Sequence, residues 1–114
     1  MINEDHLLRK IREFSDTWIV EPTKDLSKLS FDTVAYSLWA IDEITYRLMD
    51  EMYKLPYHIT GKTPTPYEDI IVEFIDDMDY MADHTVDNHK RFIFLVARDT
   101  GAELLLFLEG ELNG

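Results

Sequence analysis

FDTVAYSLWAIDEITYRLMDEMYKL, residues 31–55, is the stretch on which the fold turns: 25 residues without Pro or Gly. Val34, Leu38, Ile41, Thr45, Leu48, Met52 and Leu55 follow one another by steps of four and three, which keeps side chains on one stripe of a helix. Opposite them stand Glu43, Arg47, Asp50 and Lys54, paired acid before base at the helical i,i+4 spacing. Tyr36 and Trp39 replace the polar face in the first half. A helix apolar nearly all round is either wrapped by neighbours or offers aromatics to a partner. Ser30 stands where an N-cap belongs, and Pro56 ends the run because it has no N–H for the preceding turn.

Working outward, residues 4–20 carry Leu7, Leu8, Ile11, Phe14 and Trp18 on one face, so an amphipathic helix is expected to pack on the central one. Asn3 is its expected cap and Glu21-Pro22 its stop. Residues 23–30 read as a polar link and 56–64 as a Pro- and Gly-marked loop. Thr65-Pro66-Tyr67-Glu68 then opens another helix: Thr65 as N-cap, Pro66 at the first helical position, Glu68 closing a capping box. That helix runs to about Asp83, with Tyr67, Ile70, Ile71, Phe74, Met78, Met81 and Ala82 as its buried stripe.

The last third allows two readings. Phe92–Ala97 is a strand, Arg98-Asp99-Thr100-Gly101 a turn and Ala102–Glu109 the returning strand, giving an α+β fold with a hairpin over 91–109. Alternatively Asp87 caps a short helix through Arg98, and Thr100-Gly101-Ala102-Glu103 is a capping box that opens a last one. The helical reading is favoured, because an isolated hairpin apolar on both faces has no way to bury both. The expectation is one all-α domain over residues 1–114, four or five helices packed around 31–55.

The chain contains no Cys, which removes disulfides, thiolate metal sites and Cys nucleophiles. Its longest apolar run, Phe92–Ala97, is far short of a membrane span, and Asn3-Glu4-Asp5-His6 has no secretory character, so a cytoplasmic location is expected. A formal charge of −12 argues against direct contact with nucleic acid and favours a basic protein partner, or solubility alone. The charge is unevenly placed. Residues 64–89 hold eight carboxylates and no Lys or Arg, against 15 acids and 11 bases elsewhere. At about 100° per residue, Asp69, Glu73, Asp76, Tyr80 and Asp83 share an arc of about 80°, flanked by Asp77 and Asp79.

That row is the leading candidate site, a docking face on which complementary charge speeds encounter. Its plain alternative is a solvated face. Tyr80, an aromatic amid the acids, tips the choice to docking. Other constellations are weaker. Glu73-x-x-Asp76 matches half of the paired carboxylate motifs with which all-helical nucleotide pyrophosphatases hold magnesium, but Glu43 is followed three residues on by Tyr46 and Glu51 by Lys54. His84 and His89, five apart among Asp83 and Asp87, do not share a helical turn as metal ligands would. Ser15, Ser27, Ser30 and Ser37 lack a nucleophile elbow, and Gly61-Lys62-Thr63 is only the tail of a phosphate loop. No cofactor is implied.

From Thr65 onward the pattern resembles small immunity proteins of bacterial contact-dependent growth inhibition (CDI) and related toxin systems. The resemblance covers residues 65–109. It rests on the Pro-started acidic helix with Phe74-Ile75-Asp76-x-Met78-Asp79, then on Phe92-Ile93-Phe94-x-Val96-Ala97-x-Asp99-Thr100-Gly101 and the Leu-rich end. It implies a non-enzymatic cytoplasmic protein that neutralises one cognate toxin domain, often a basic nuclease, by covering its working surface. The residues expected to make the contact are Asp69, Glu73, Asp76, Asp77, Asp79, Tyr80 and Asp83. The alternatives are a structural or chaperone-like helical protein of a mobile element and a magnesium-dependent nucleotide hydrolase.

Overall fold

A computed structural model describes residues 4–24, 31–52 and 66–113. Four α-helices run through them: α1 (Glu4–Phe14), α2 (Phe31–Met52), α3 (Tyr67–His84) and α4 (Asn88–Asn113). No strand occurs among the described residues, so the all-α reading holds and the hairpin over 91–109 does not form. Ser30, residues 53–65 and the expected cap Asn3 lie outside the described residues, as does the loop with its Thr65 cap.

α4 is one unbroken helix of 26 residues, where two helices or a hairpin were expected. Its first turn is capped as anticipated: Asp87 Oδ1 accepts the backbone N–H of His89 at 2.8 Å and of Lys90 at 3.2 Å. The expected second capping box does not exist. Thr100 Oγ1 donates to the Val96 carbonyl at 2.8 Å, a mid-helix bond, and lies 3.1 Å from Ser37 Oγ on α2. Gly101, which looks like a break, lets two backbones approach. A Cβ there would stand 3.1 Å from Ile75 Cγ1 and 3.2 Å from Phe74 Cδ1 of α3.

The α3–α4 contact is the most extensive in the structure, and α4 also touches α1 and α2. α2 meets every other helix too, as its apolar character required. Its facing is rotated from expectation. Ala40, Ile41, Ile44 and Leu48 are buried, while Glu43 and Arg47, expected outside, turn towards α3 and are half-buried. The outward stripe is Ala35, Trp39, Asp42, Tyr46 and Asp50. Periodicity could not locate that stripe, because apolar and aromatic residues surround the helix.

α3 follows expectation closely: Tyr67, Ile70, Ile71, Phe74, Met78 and Ala82 are buried, but Met81 is exposed. Pro66 is the N-cap rather than the first helical residue. Its ψ of 147° is extended, and its carbonyl accepts from Asp69 and Ile70. The turn into α4 is closed by Arg91, whose Nη2 donates to the Thr85 carbonyl at 2.8 Å and whose Nε donates to that of Ala82 at 3.3 Å. Carbonyls left free at the end of α3 are thereby satisfied, and the two helices form a braced hairpin.

α1 departs from its pattern at Phe14. Leu7, Ile11 and Phe14 are buried as expected, and an α-helix would place Trp18 next. Instead Ser15–Val20 is π-helical, with the Glu21 N–H bonded to the Asp16 carbonyl five residues back. The wider turn moves the buried position from Trp18 to Ile19: Trp18 is 62% exposed and Ile19 only 6%. Glu21–Lys24 continues as a 3₁₀ turn through Pro22, so Glu21-Pro22 does not end the helical path.

Candidate functional site: the acidic face of α3

Every residue expected at the site, Asp69, Glu73, Asp76, Asp77, Asp79, Tyr80 and Asp83, is exposed on α3. They share a face because α3 is regular from Tyr67 to His84 and buries its apolar stripe opposite them, on α2 and α4. The face is braced from beneath by Phe74 and Ile71, both fully buried.

The electrostatics differ from the expectation in one respect. No Lys or Arg lies in residues 64–89, yet two arginines arrive from neighbouring helices. Arg47 of α2 donates from Nη1 to Asp77 at 2.9 Å, and Arg98 of α4 from Nη1 to Asp79 at 2.8 Å. Arg47 also approaches Glu43 at 3.5 Å and lies over the Phe74 ring, 5.2 Å from its centroid. Arg98 is shared with Asp99, and its bonds to Asp79 and then Asp99 raise its pKa further above the ordinary value.

The two paired carboxylates are the flanking ones. Asp77 faces α2 and Asp79 faces α4, while Asp69, Glu73, Asp76 and Asp83 in the arc between have no ion pair among the described residues. The arginines thus fasten the edges of the helix and leave its middle negative. Tyr80, at 61% exposure, lies within this arc with its ring stacked on His84, centroids 3.9 Å apart. His84 Nδ1–H donates to the Tyr80 carbonyl at 2.8 Å, which holds the pair in register at the C-terminal end of α3.

The remaining candidates scatter. His89 is engaged elsewhere, its Nε2 hydrogen bonded to the Tyr36 hydroxyl at 3.0 Å, and Tyr36 meets Phe92 edge-on at 5.9 Å. Tyr36 is therefore half-buried at the α2–α4 contact, whereas Trp39 is on the outward stripe of α2. Among the described residues no group of three or more His, Asp or Glu is placed to hold a metal. Glu73 and Asp76 face outward, and the side chains that reach α3 from its neighbours beside them are arginines. No helix among the described residues is long and apolar enough to cross a membrane.

Arg47 and Arg98 are the participants that counting within one segment missed. Arg47 carried a faint signal, since its i,i+4 partner Glu43 places it on one definite side of α2. Arg98 carried none, because both readings of the last third made it a boundary, the last residue of a short helix or the first of a turn, rather than the interior of a long helix. Comparison with family models, with curated proteins and with solved structures finds no match to this chain.

Proposed function

We propose that the protein is a cytoplasmic, non-enzymatic inhibitor, an immunity protein of the contact-dependent growth inhibition type, which binds a basic toxin domain through the α3 face. The observation that carries this reading is the run of Asp69, Glu73, Asp76 and Asp83, exposed and with no ion pair among the described residues, on a helix whose edges are tied down by Arg47 and Arg98. Unpaired like charges at helical spacing cost stability, so their retention on one face favours a role in recognition. A rigid negative surface of this kind steers a cationic partner and rejects anionic ones. Tyr80 supplies the aromatic contact at its centre. The resemblance over residues 65–109 points to the same class of partner, a nuclease-type toxin whose substrate-binding surface is basic.

The test is to read the gene immediately upstream and, if it encodes a large secreted protein, to co-express its C-terminal domain with this chain. The wild-type chain restores growth, and the Glu73→Lys/Asp76→Lys double variant, folded by circular dichroism, does not. Equal protection by both, or an upstream gene with no such domain, contradicts the reading.

A second reading has one specific observation in its favour. Trp39 and Tyr46, seven residues apart, are 42% and 68% exposed on the outer stripe of α2. They would serve self-assembly in a structural or chaperone-like protein, and that assembly would be insensitive to salt. For the magnesium-hydrolase reading, magnesium should raise the melting temperature through Glu73 and Asp76; the inhibitor reading expects no shift.

A further inference from the structure

Trp18 is exposed by a change of backbone geometry rather than by its place in the pattern. A continuous α-helix would carry it onto the stripe of Leu7, Ile11 and Phe14. The π turn at Ser15–Val20 puts Ile19 there and leaves the indole outside, stacked on Phe14 with centroids 6.5 Å apart. π turns are rare, and within α-helices they concentrate at functional sites.

The indole opens onto an open groove of about 380 Å³ between the π turn, α2 and α4. Phe14, Val96 and Thr100 are among the residues that line it, and Asp99 and Glu103 of α4 stand along it as well. None of the described residues along the groove is basic. Asp99 is tethered to Arg98 at 3.2 Å, whereas Glu103, exposed, has no ion pair among the described residues. An aromatic plane beside an unpaired carboxylate suits a guanidinium, which stacks flat on indole and donates in-plane to carboxylate oxygens. A second copy of this chain fits poorly, since each carries a formal charge of −12.

We infer that the groove receives an arginine side chain from a protein segment, its stem along Val96 and Phe14, its guanidinium over Trp18 and bonded to Glu103. This holds whether or not α3 is a docking face, because the two surfaces share none of the residues invoked.

The test titrates the intact protein with the capped tripeptide acetyl-Ala-Arg-Ala-amide while the two indole N–H resonances are followed by NMR. The Trp18 signal shifts and saturates while that of Trp39, on the outer stripe of α2, stays in place. Glu103→Gln weakens the binding about three- to tenfold, and the citrulline analogue, uncharged but of the same shape, leaves Trp18 unmoved. Trp18→Ala, which removes an exposed side chain, abolishes the shifts otherwise seen at the Ser37 and Thr100 amides. Four results would each overturn the inference: equal midpoints for arginine and citrulline, parallel movement of Trp39, no response to the peptide, or a Trp18 shift on concentrating the protein alone.

Discussion

The two flanks of α4 are packed by opposite rules. On the side facing α3, Ala97, Gly101, Leu104 and Leu108 are buried, and the Gly101 backbone rests against Phe74 and Ile75 with no room to spare. On the side facing the π turn and α2, Val96, Thr100 and Glu103 border an open groove whose largest aromatic, Trp18, stays in solvent. These flanks begin one residue apart, at Val96 and Ala97, so sequence position does not separate them. What differs is the partner. α3 is a regular helix that interdigitates with α4 along its length, whereas α1 changes to a wider turn at the point where it would have closed the gap. Tight packing gives α3 a fixed platform for its charged face; loose packing leaves a cleft.

Substitutions in the two flanks should therefore behave differently, most of all at the closed seam. Phe74→Ala removes a fully buried ring and is expected to cost about 3–5 kcal/mol in urea unfolding. A loss below about 1 kcal/mol would mean that the seam is not packed as described. Gly101→Val forces a branched side chain into the 3.1 Å approach of Ile75 and should cost about 1–3 kcal/mol by overpacking. If Gly101 were merely a helix weakness, the same substitution would stabilise.

At the hairpin that sets this seam, Asp87→Ala should lower the melting temperature by a few degrees. The backbone N–H groups of Lys90 and then His89 hold the Asp87 carboxyl below its ordinary 3.8. A depressed folded value means that the stabilisation is complete above the ordinary one and is lost as pH falls through the folded one. Melting curves of wild type and variant should accordingly differ at neutral pH and converge in strong acid. On the open flank, Trp18→Ala is expected to change unfolding stability by less than about 0.5 kcal/mol, because the indole is mostly in solvent. A loss comparable with Phe74→Ala would show that the indole is enclosed and the groove closed.

The parts of this molecule that were legible in its sequence are those governed by nearest neighbours on a helix. The apolar stripe of α3, the opposite arc from Asp69 to Asp83 and the Asp87 cap all follow from spacing within a few residues. What was not legible depends on residues far apart in the chain. Thr100-Gly101-Ala102-Glu103 has the composition of a helix start, yet the demand for a Gly comes from Phe74 and Ile75 across the seam. Trp18 continues a four-residue rhythm that the π turn breaks, and nothing local announces the change. The negative row looked uncompensated because Arg47 and Arg98 come from other helices. Their arrival alters the site without cancelling it, since both bind at its edges.

The claim that the middle of this face recruits a basic toxin domain is tested most directly by the association rate constant measured at rising salt. With a toxin domain that the co-expression test identifies as the partner, the wild-type chain associates fast and slows steeply with ionic strength, and Glu73→Lys/Asp76→Lys shows a slower rate and a flatter dependence. Equal rates and equal salt slopes for the two proteins would contradict it.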